Sequence, residues 1–277
     1  MEREHNMGNI VTELHKKGLI HPPSFLAHNL HYLVYMGSVA YGVSSDNSDN
    51  DLYGFTIPEK EMIFPHLHGE IMGFGKQAKR FEQYQEQTET PEGKKFDFSI
   101  YSIIKFFQLV MENNPNMIDS LFVPQRCVAH STAIGNLVRE NRKMFLHKGC
   151  WPTFKGYSYS QLHKADTKNP IGKRKETVER FGWDVKFGYH IVRLLLECEQ
   201  ILTEGDLDLE RNRELLKSIR RGEWTLEQTK EYFSMKEKQL EEAYTKSTLP
   251  WGPDEDKIKE LLLKCLEMHY GSLDKFI

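Results

Sequence analysis

The chain has 277 residues, with 37 Lys and Arg against 40 Asp and Glu for a formal net charge of −3 and a pI near 6.5. That balance excludes nucleic-acid binding driven by global charge but leaves a local basic groove open. Hydrophobic residues make up 39 % of the chain, enough for a large core, and no apolar run approaches the ~18–20 residues of a membrane span.

In chain order, residues 9–17 have helical periodicity, and residues 30–36 are aromatic and branched in the manner of a buried strand. Gly37-Ser38 then falls where that strand opens into a turn, with a helix expected to begin near Val39. A second strand is expected over 51–57, and residues 77–93, rich in Gln, Glu and Thr, read as a mobile insertion. Residues 96–101 alternate as a strand and lead into a helix over 103–111. From Ser131 onward the pattern is helical, with segments at 131–147, 155–165, 175–203, 210–220, 226–245 and 254–270 and a breaker at Pro250-Trp251-Gly252-Pro253. The expected organisation is a core over 1–127 and a helical domain over 128–277 that completes a cleft.

The chemistry concentrates where the first two strands meet. Glycine lets backbone approach a phosphate, and the Ser38 hydroxyl with neighbouring N–H groups donates to phosphate oxygens. Ten residues separate Ser38 from Asp49, room for a turn and a return to an adjacent strand. Asp49 and Asp51, at i and i+2, share one strand face roughly 6–7 Å apart, which suits oxygen-seeking magnesium. The alternating pattern of Lys94-Lys95-Phe96-Asp97-Phe98 fits a strand with Asp97 facing the other acids. Residues 44–51 taken alone favour a solvated loop, a reading that the strands on both sides, the spacing and Asp97 reverse. An EF-hand loop fails because its sixth and twelfth positions are Asp51 and Ile57.

Other residues stay open between function and packing. Lys186, His190 and Arg193 follow i, i+4, i+7 spacing on one helix face, facing either a triphosphate or the acids Glu179, Asp184 and Glu197. Tyr157 and Gln161, four apart, form either an acceptor or base pocket or ordinary packing. Lys164, Lys168, Lys173, Arg174 and Lys175 make a basic cluster or a solvated linker around Asn169-Pro170. His66-x-His68 and His147-x-x-Cys150 lack further ligands at a recognisable spacing. The cysteines Cys127, Cys150, Cys198 and Cys265 show no CxxC pair, so neither a zinc ribbon nor a disulfide framework is expected. The amino terminus Met1-Glu2-Arg3-Glu4-His5 has no secretory pattern, and a cytoplasmic location without membrane contact is expected.

Gly37-Ser38 followed by Asp49-x-Asp51 resembles the signature of the DNA polymerase β-like nucleotidyltransferase superfamily, with Asn50 where an apolar residue is usual. Asn114-Pro115-Asn116, Lys155-Gly156-Tyr157 with Gln161-Leu162, and Lys186-x-x-x-His190-x-x-Arg193-Leu194-Leu195 resemble the RNA-repair-pathway polymerase β family of bacteria and phages. The resemblance runs from about Leu30 to the end of the chain. It implies an α/β (α+β) fold with a mixed-sheet nucleotidyltransferase core followed by a helical bundle. It also implies transfer of a nucleoside monophosphate from an NTP to an acceptor hydroxyl, an RNA end first among acceptors. Protein or small-molecule adenylylation and a non-catalytic nucleotide-binding module stand as alternatives. Mg2+ or Mn2+ would be held by Asp49, Asp51 and Asp97, and the nucleotide by Gly37, Ser38, Lys186, His190 and Arg193. The oligomeric state is not legible.

Overall fold

The computed structural model describes residues 9–44, 49–67, 70–76, 80–167 and 173–271. After α1 (Ile10–Lys16) come β1 (Leu30–Tyr35), β2 (Asn50–Thr56), the single-turn α2 (Lys60–Ile63), β3 (Gln83–Glu89) and β4 (Lys95–Ser102). Helices α3 (Ile103–Met111) and α4 (Pro115–Phe122) precede a short β5 (Val128–Ser131). The remainder is helical: α5 (Ala133–Glu140), α6 (Cys150–Thr167), α7 (Lys173–Phe181), α8 (Val185–Glu204), α9 (Arg213–Arg220), α10 (Leu226–Lys246) and α11 (Glu255–Tyr270). The fold is α+β, a mixed sheet followed by helices.

The sheet runs β3-β4-β2-β1-β5. Every neighbouring pair is antiparallel except β2 and β4, which are parallel. Strand alternation sorts the side chains into two cores. Leu33, Leu52, Phe98 and Ile100 pack with Val11 and Leu14 of α1 on one face. Tyr32, Val34, Phe55 and Tyr101 join the helices on the other.

Capping explains where the helices around the sheet begin. The Ser102 side chain accepts from Lys105 N at 3.1 Å to start α3 directly from β4. Asn114 caps α4 with Pro115 in its first turn, where the missing N–H costs nothing. Asp184 caps α8, and Gly205, at φ 61°, ends it in the left-handed conformation.

Four expectations are corrected. Residues 83–89 form the edge strand β3, because Tyr84 is buried in the first-described core while the glutamines beside it face outward. Of the stretch read as an insertion, 77–79 lie outside the described residues. Residues 131–147 are not one helix: β5 pairs with β1, Thr132 caps α5, and a 3₁₀ turn follows at Arg142–Phe145. The helix expected over 175–203 breaks at Gly182, φ 79°, where Trp183 turns inward and donates from Nε1 to Trp224 O at 3.1 Å. No helix begins at Val39; residues 37–43 make one closed turn. The expected boundary after residue 127 falls directly before β5, so the sheet's last strand comes from the helical half, and one core runs from Tyr32 to Leu266 across that point.

Candidate active site

The parallel register sets Asp51 of β2 directly beside Asp97 of β4. Asp49 stands just ahead of β2, exposed. Burial lifts the Asp51 carboxyl above the ordinary carboxylate range, and the negative charges of Asp97 and Asp49 lift it further, while Lys186 opposes them. These four side chains therefore share one electrostatic field. Asp97 accepts a hydrogen bond from Gln87 Nε2 of β3 at 2.7 Å. A cleft of about 390 Å³ opens here, with the three aspartates and Gln87 inside it and Lys95 and Glu89, 3.6 Å apart, at its rim.

Beside the acids lies the turn that follows β1. Gly37 has φ +62°, and a β-carbon there would stand 2.1 Å from Asp51 Oδ2. Gly42, at φ +65°, closes the turn, and a β-carbon there would stand 2.8 Å from Glu210 Oε1. Both positions require glycine on conformation and on space. Tyr41 N donates to Gly37 O at 3.4 Å, Gly42 N to Val39 O at 3.3 Å and Val43 N to Ser38 O at 2.9 Å. The N–H groups of Ser38, Val39 and Ala40 donate to no described residue; Ser38 and Val39 are part-exposed and Ala40 is fully buried, which leaves two adjacent donors open in the turn that packs against Asp51.

The stripe on α8 divides. Lys186 is exposed, and its charge acts on Asp51. His190 is half-buried; burial first, then the charges of Arg193, Lys186, Arg174 and Arg220, push its imidazole well below the usual histidine range and hold it neutral. Arg193 is 5 % exposed and donates to Asp119 and to the Tyr41 hydroxyl, with Glu197 at 3.3 Å. Its charge is consumed by two buried carboxylates, so it does not face the cleft as the helical spacing suggested.

Tyr157, 41 % exposed, accepts from Asn114 Nδ2 at 2.9 Å, which joins two of the segments that carried the family resemblance. Tyr101, raised first by burial, also feels Tyr157, and Tyr53, raised first by burial, also feels Tyr101, Asp51 and Asp97. Gln161 lies one turn beyond Tyr157 on α6, half-buried. In the basic cluster, Lys164 is exposed, Arg174 pairs with Asp184 at 3.3 Å and Lys175 with Glu179 at 3.9 Å. Lys168 and the Lys173 side chain lie outside the described residues, as does His68. His147 Nε2 lies 2.8 Å from the Met111 carbonyl oxygen, a structural role.

Among the described residues no three or more His, Cys, Asp or Glu side chains close into a metal-ligand set. The aspartates still fit a divalent cation in chemistry. They are hard oxygen donors, and Asp51, raised first by burial and then by the charges of Asp97 and Asp49, is a carboxylate whose charge a cation would offset. An open set also suits magnesium, which takes one or two carboxylates and completes its shell with substrate phosphates and water.

Residue-type reasoning missed Gln87, because its strand reads as polar coil. It also missed Asn114 as a partner of Tyr157, Arg126, and Arg220. Arg126 and Arg220 carry no local signal, since their contacts lie far away in sequence.

Facing aspartates on parallel strands, with a glycine-bracketed turn against one of them, define a polymerase β-type nucleotidyltransferase core. The chain belongs to RlaP, the RNA repair pathway DNA polymerase beta family, whose profile matches residues 10–264. No curated protein matches the chain. No helix among the described residues is long and apolar enough to cross a membrane.

Proposed function

We propose that the protein transfers a nucleoside monophosphate from an NTP to a hydroxyl at an RNA end, with Mg2+ or Mn2+ held by Asp49, Asp51 and Asp97. The observation that carries this reading is the Asp51–Asp97 pair with Gly37 pressed against Asp51. It sets the turn, whose Ser38 and Val39 N–H groups donate to no described residue, against the carboxylates that the reaction needs.

The β- and γ-phosphate oxygens take hydrogen bonds from Ser38 and Val39 N–H and from the Ser38 hydroxyl, and Lys186 offsets their charge. A bound divalent cation supplies charge neutralisation at the α-phosphate and lowers the pKa of the attacking hydroxyl. Asp97, aimed by Gln87, accepts the hydroxyl proton. The acceptor oxygen bonds to the α-phosphorus, the bond from that phosphorus to the bridging oxygen breaks, and pyrophosphate leaves. His190, neutral and half-buried, donates or accepts a hydrogen bond without adding charge. Tyr157 and Gln161 on α6 form the wall for the acceptor or base, with Tyr101 and Tyr53 continuing it toward the acids.

RNA as acceptor rests on the family's description. Transfer to a protein or small-molecule hydroxyl is the second reading, favoured by the net charge of −3. A module that binds nucleotide without transfer is the third. Incubating wild type and an Asp49→Ala, Asp51→Ala variant with α-labelled NTPs, magnesium or manganese, and separated RNA, protein and metabolite fractions tests all three. Label in RNA, lost in the variant, is the expected result. Label in another fraction moves the acceptor, and nucleotide binding without label or pyrophosphate release removes transfer altogether.

A further inference from the structure

We infer that Arg126, Arg193 and Arg220 are positioning residues that hold the 37–43 turn with its carbonyl groups drawn back and its N–H groups turned toward the nucleotide. The inference rests on the triphosphate reading of that turn.

A planar trans peptide points its C=O and N–H in opposite directions. Fixing a carbonyl therefore aims the amide of the next residue. The free N–H groups of Ser38, Val39 and Ala40 belong to peptides whose carbonyls, those of Gly37, Ser38 and Val39, are all engaged. The first two accept Tyr41 N and Val43 N, bonds the turn makes within itself. The third accepts Gly42 N and also Arg126 Nη2 at 3.2 Å. A guanidinium adds a charge-assisted bond to that carbonyl, which fixes the Val39–Ala40 peptide, whose N–H is buried, and so holds the part-exposed Ser38 and Val39 N–H groups just ahead of it in place. The turn's exit is tied in the same way, since Arg220 Nη1 donates to Val43 O at 2.7 Å.

The turn's one large side chain is the third anchor. The Tyr41 hydroxyl donates to Asp119 Oδ2 at 2.6 Å, Arg193 donates to both, and the guanidinium carbon lies 4.4 Å from the centre of the Tyr41 ring. Asp119, Arg193, Glu197 and Tyr41 are all buried. Replacing such a charged group by apolar side chains is often neutral or stabilising, so stability alone does not account for it here, and fixing Tyr41 does. Arg126 is itself seated by Glu210, which takes its Nη1 at 3.1 Å and Nη2 at 2.8 Å, and Glu210 is the carboxylate against which Gly42 is packed.

The two side contacts and the Val43 contact span 87, 152 and 177 residues. The anchors come from the segment before β5, from α8 and from α9. Two of the three anchors of the nucleotide turn, Arg193 and Arg220, thus come from the helical half of the chain, and the third, Arg126, is seated by Glu210 of that half; Arg193 acts on the triphosphate through Tyr41 rather than by touching it.

The test is the affinity of the full-length protein for an NTP and for the matching nucleoside monophosphate, with magnesium, in Tyr41→Phe, Arg126→Gln and Arg220→Gln. Arg139→Gln is the control, because Arg139 makes the same kind of contact to the Val123 carbonyl outside the turn. Triphosphate affinity is expected to fall about tenfold or more in the three variants, the worth of one or two lost hydrogen bonds. Monophosphate affinity should hold, and Arg220→Lys should restore most of the loss. An unchanged ratio of the two affinities in all three variants, or an equal fall in Arg139→Gln, overturns the inference while leaving the proposed activity standing. A wild type that binds no triphosphate overturns both. Because the ratio is read on folded protein, general destabilisation does not mimic the expected result.

Discussion

Gly37 and Asp51 touch so closely that the backbone of one and the carboxylate of the other form a single unit: a β-carbon on Gly37 would lie 2.1 Å from Asp51 Oδ2. Gly37→Ala carries two costs, a left-handed residue with a side chain, worth about 1–2 kcal/mol, and displacement of Asp51. The expected outcome is folded protein whose nucleotidyl transfer falls by about 100-fold or more, measured by pyrophosphate release. Gly42→Ala meets the flexible end of Glu210 at 2.8 Å and should lose less.

Asp97→Asn should separate stability from activity. The Asp51 anion is disfavoured by burial and next by Asp97, so removing the Asp97 charge relieves the unliganded protein. Its stability in urea without divalent cation should rise by about 0.5–1 kcal/mol, while transfer disappears.

Gln87→Leu removes the donor that orients Asp97 at 2.7 Å and leaves the turn intact. The expected signature is kcat reduced about tenfold with KM for the NTP unchanged, since the lost interaction concerns the proton acceptor and not the triphosphate.

Acid lability should trace in part to His31. Its Nδ1 is 2.9 Å from Thr132 Oγ1 and its Nε2 is 3.0 Å from His269 Nδ1. Burial first, then His269 and His130, lower its pKa from 6.5 to about 3. A folded pKa below the unfolded one means that the unfolded chain takes up the proton first, so stability is full above 6.5 and is lost as pH falls from there toward 3. His31→Gln should cost about 1–2 kcal/mol at pH 8 and flatten the fall in stability across that window, read from urea midpoints at a series of pH values.

Arg193→Met leaves Asp119 and Glu197 buried without their cation and should cost about 3–5 kcal/mol. Combining it with Asp119→Leu and Glu197→Leu should recover most of that stability. Triphosphate affinity should stay low in the triple variant, because Tyr41 has lost its anchor.

The parts of this fold that the sequence revealed are those decided locally. β1 and β4 are continuous or alternating apolar runs; Asp49 lies just ahead of β2, Asp51 at its start and Asp97 near the start of β4. β3 stayed hidden because as an edge strand it buries little beyond Tyr84 and shows solvent its glutamines, a composition shared with coil. Arg193 was visible as a cation but not as a buried one, since the burying partner Asp119 lies 74 residues away. The break at Gly182 was masked by helical residues on both sides.

The anchoring of the turn also orders events during synthesis. β1 and the turn emerge from the ribosome early, and domains tend to fold from the amino end as they appear. Yet the carbonyl of Val43 waits for Arg220, 177 residues later. The growing chain therefore carries its three aspartates long before it can tie down the turn beside them. A ribosome-bound intermediate that already holds all three has no fixed 37–43 turn until α9 has cleared the exit tunnel.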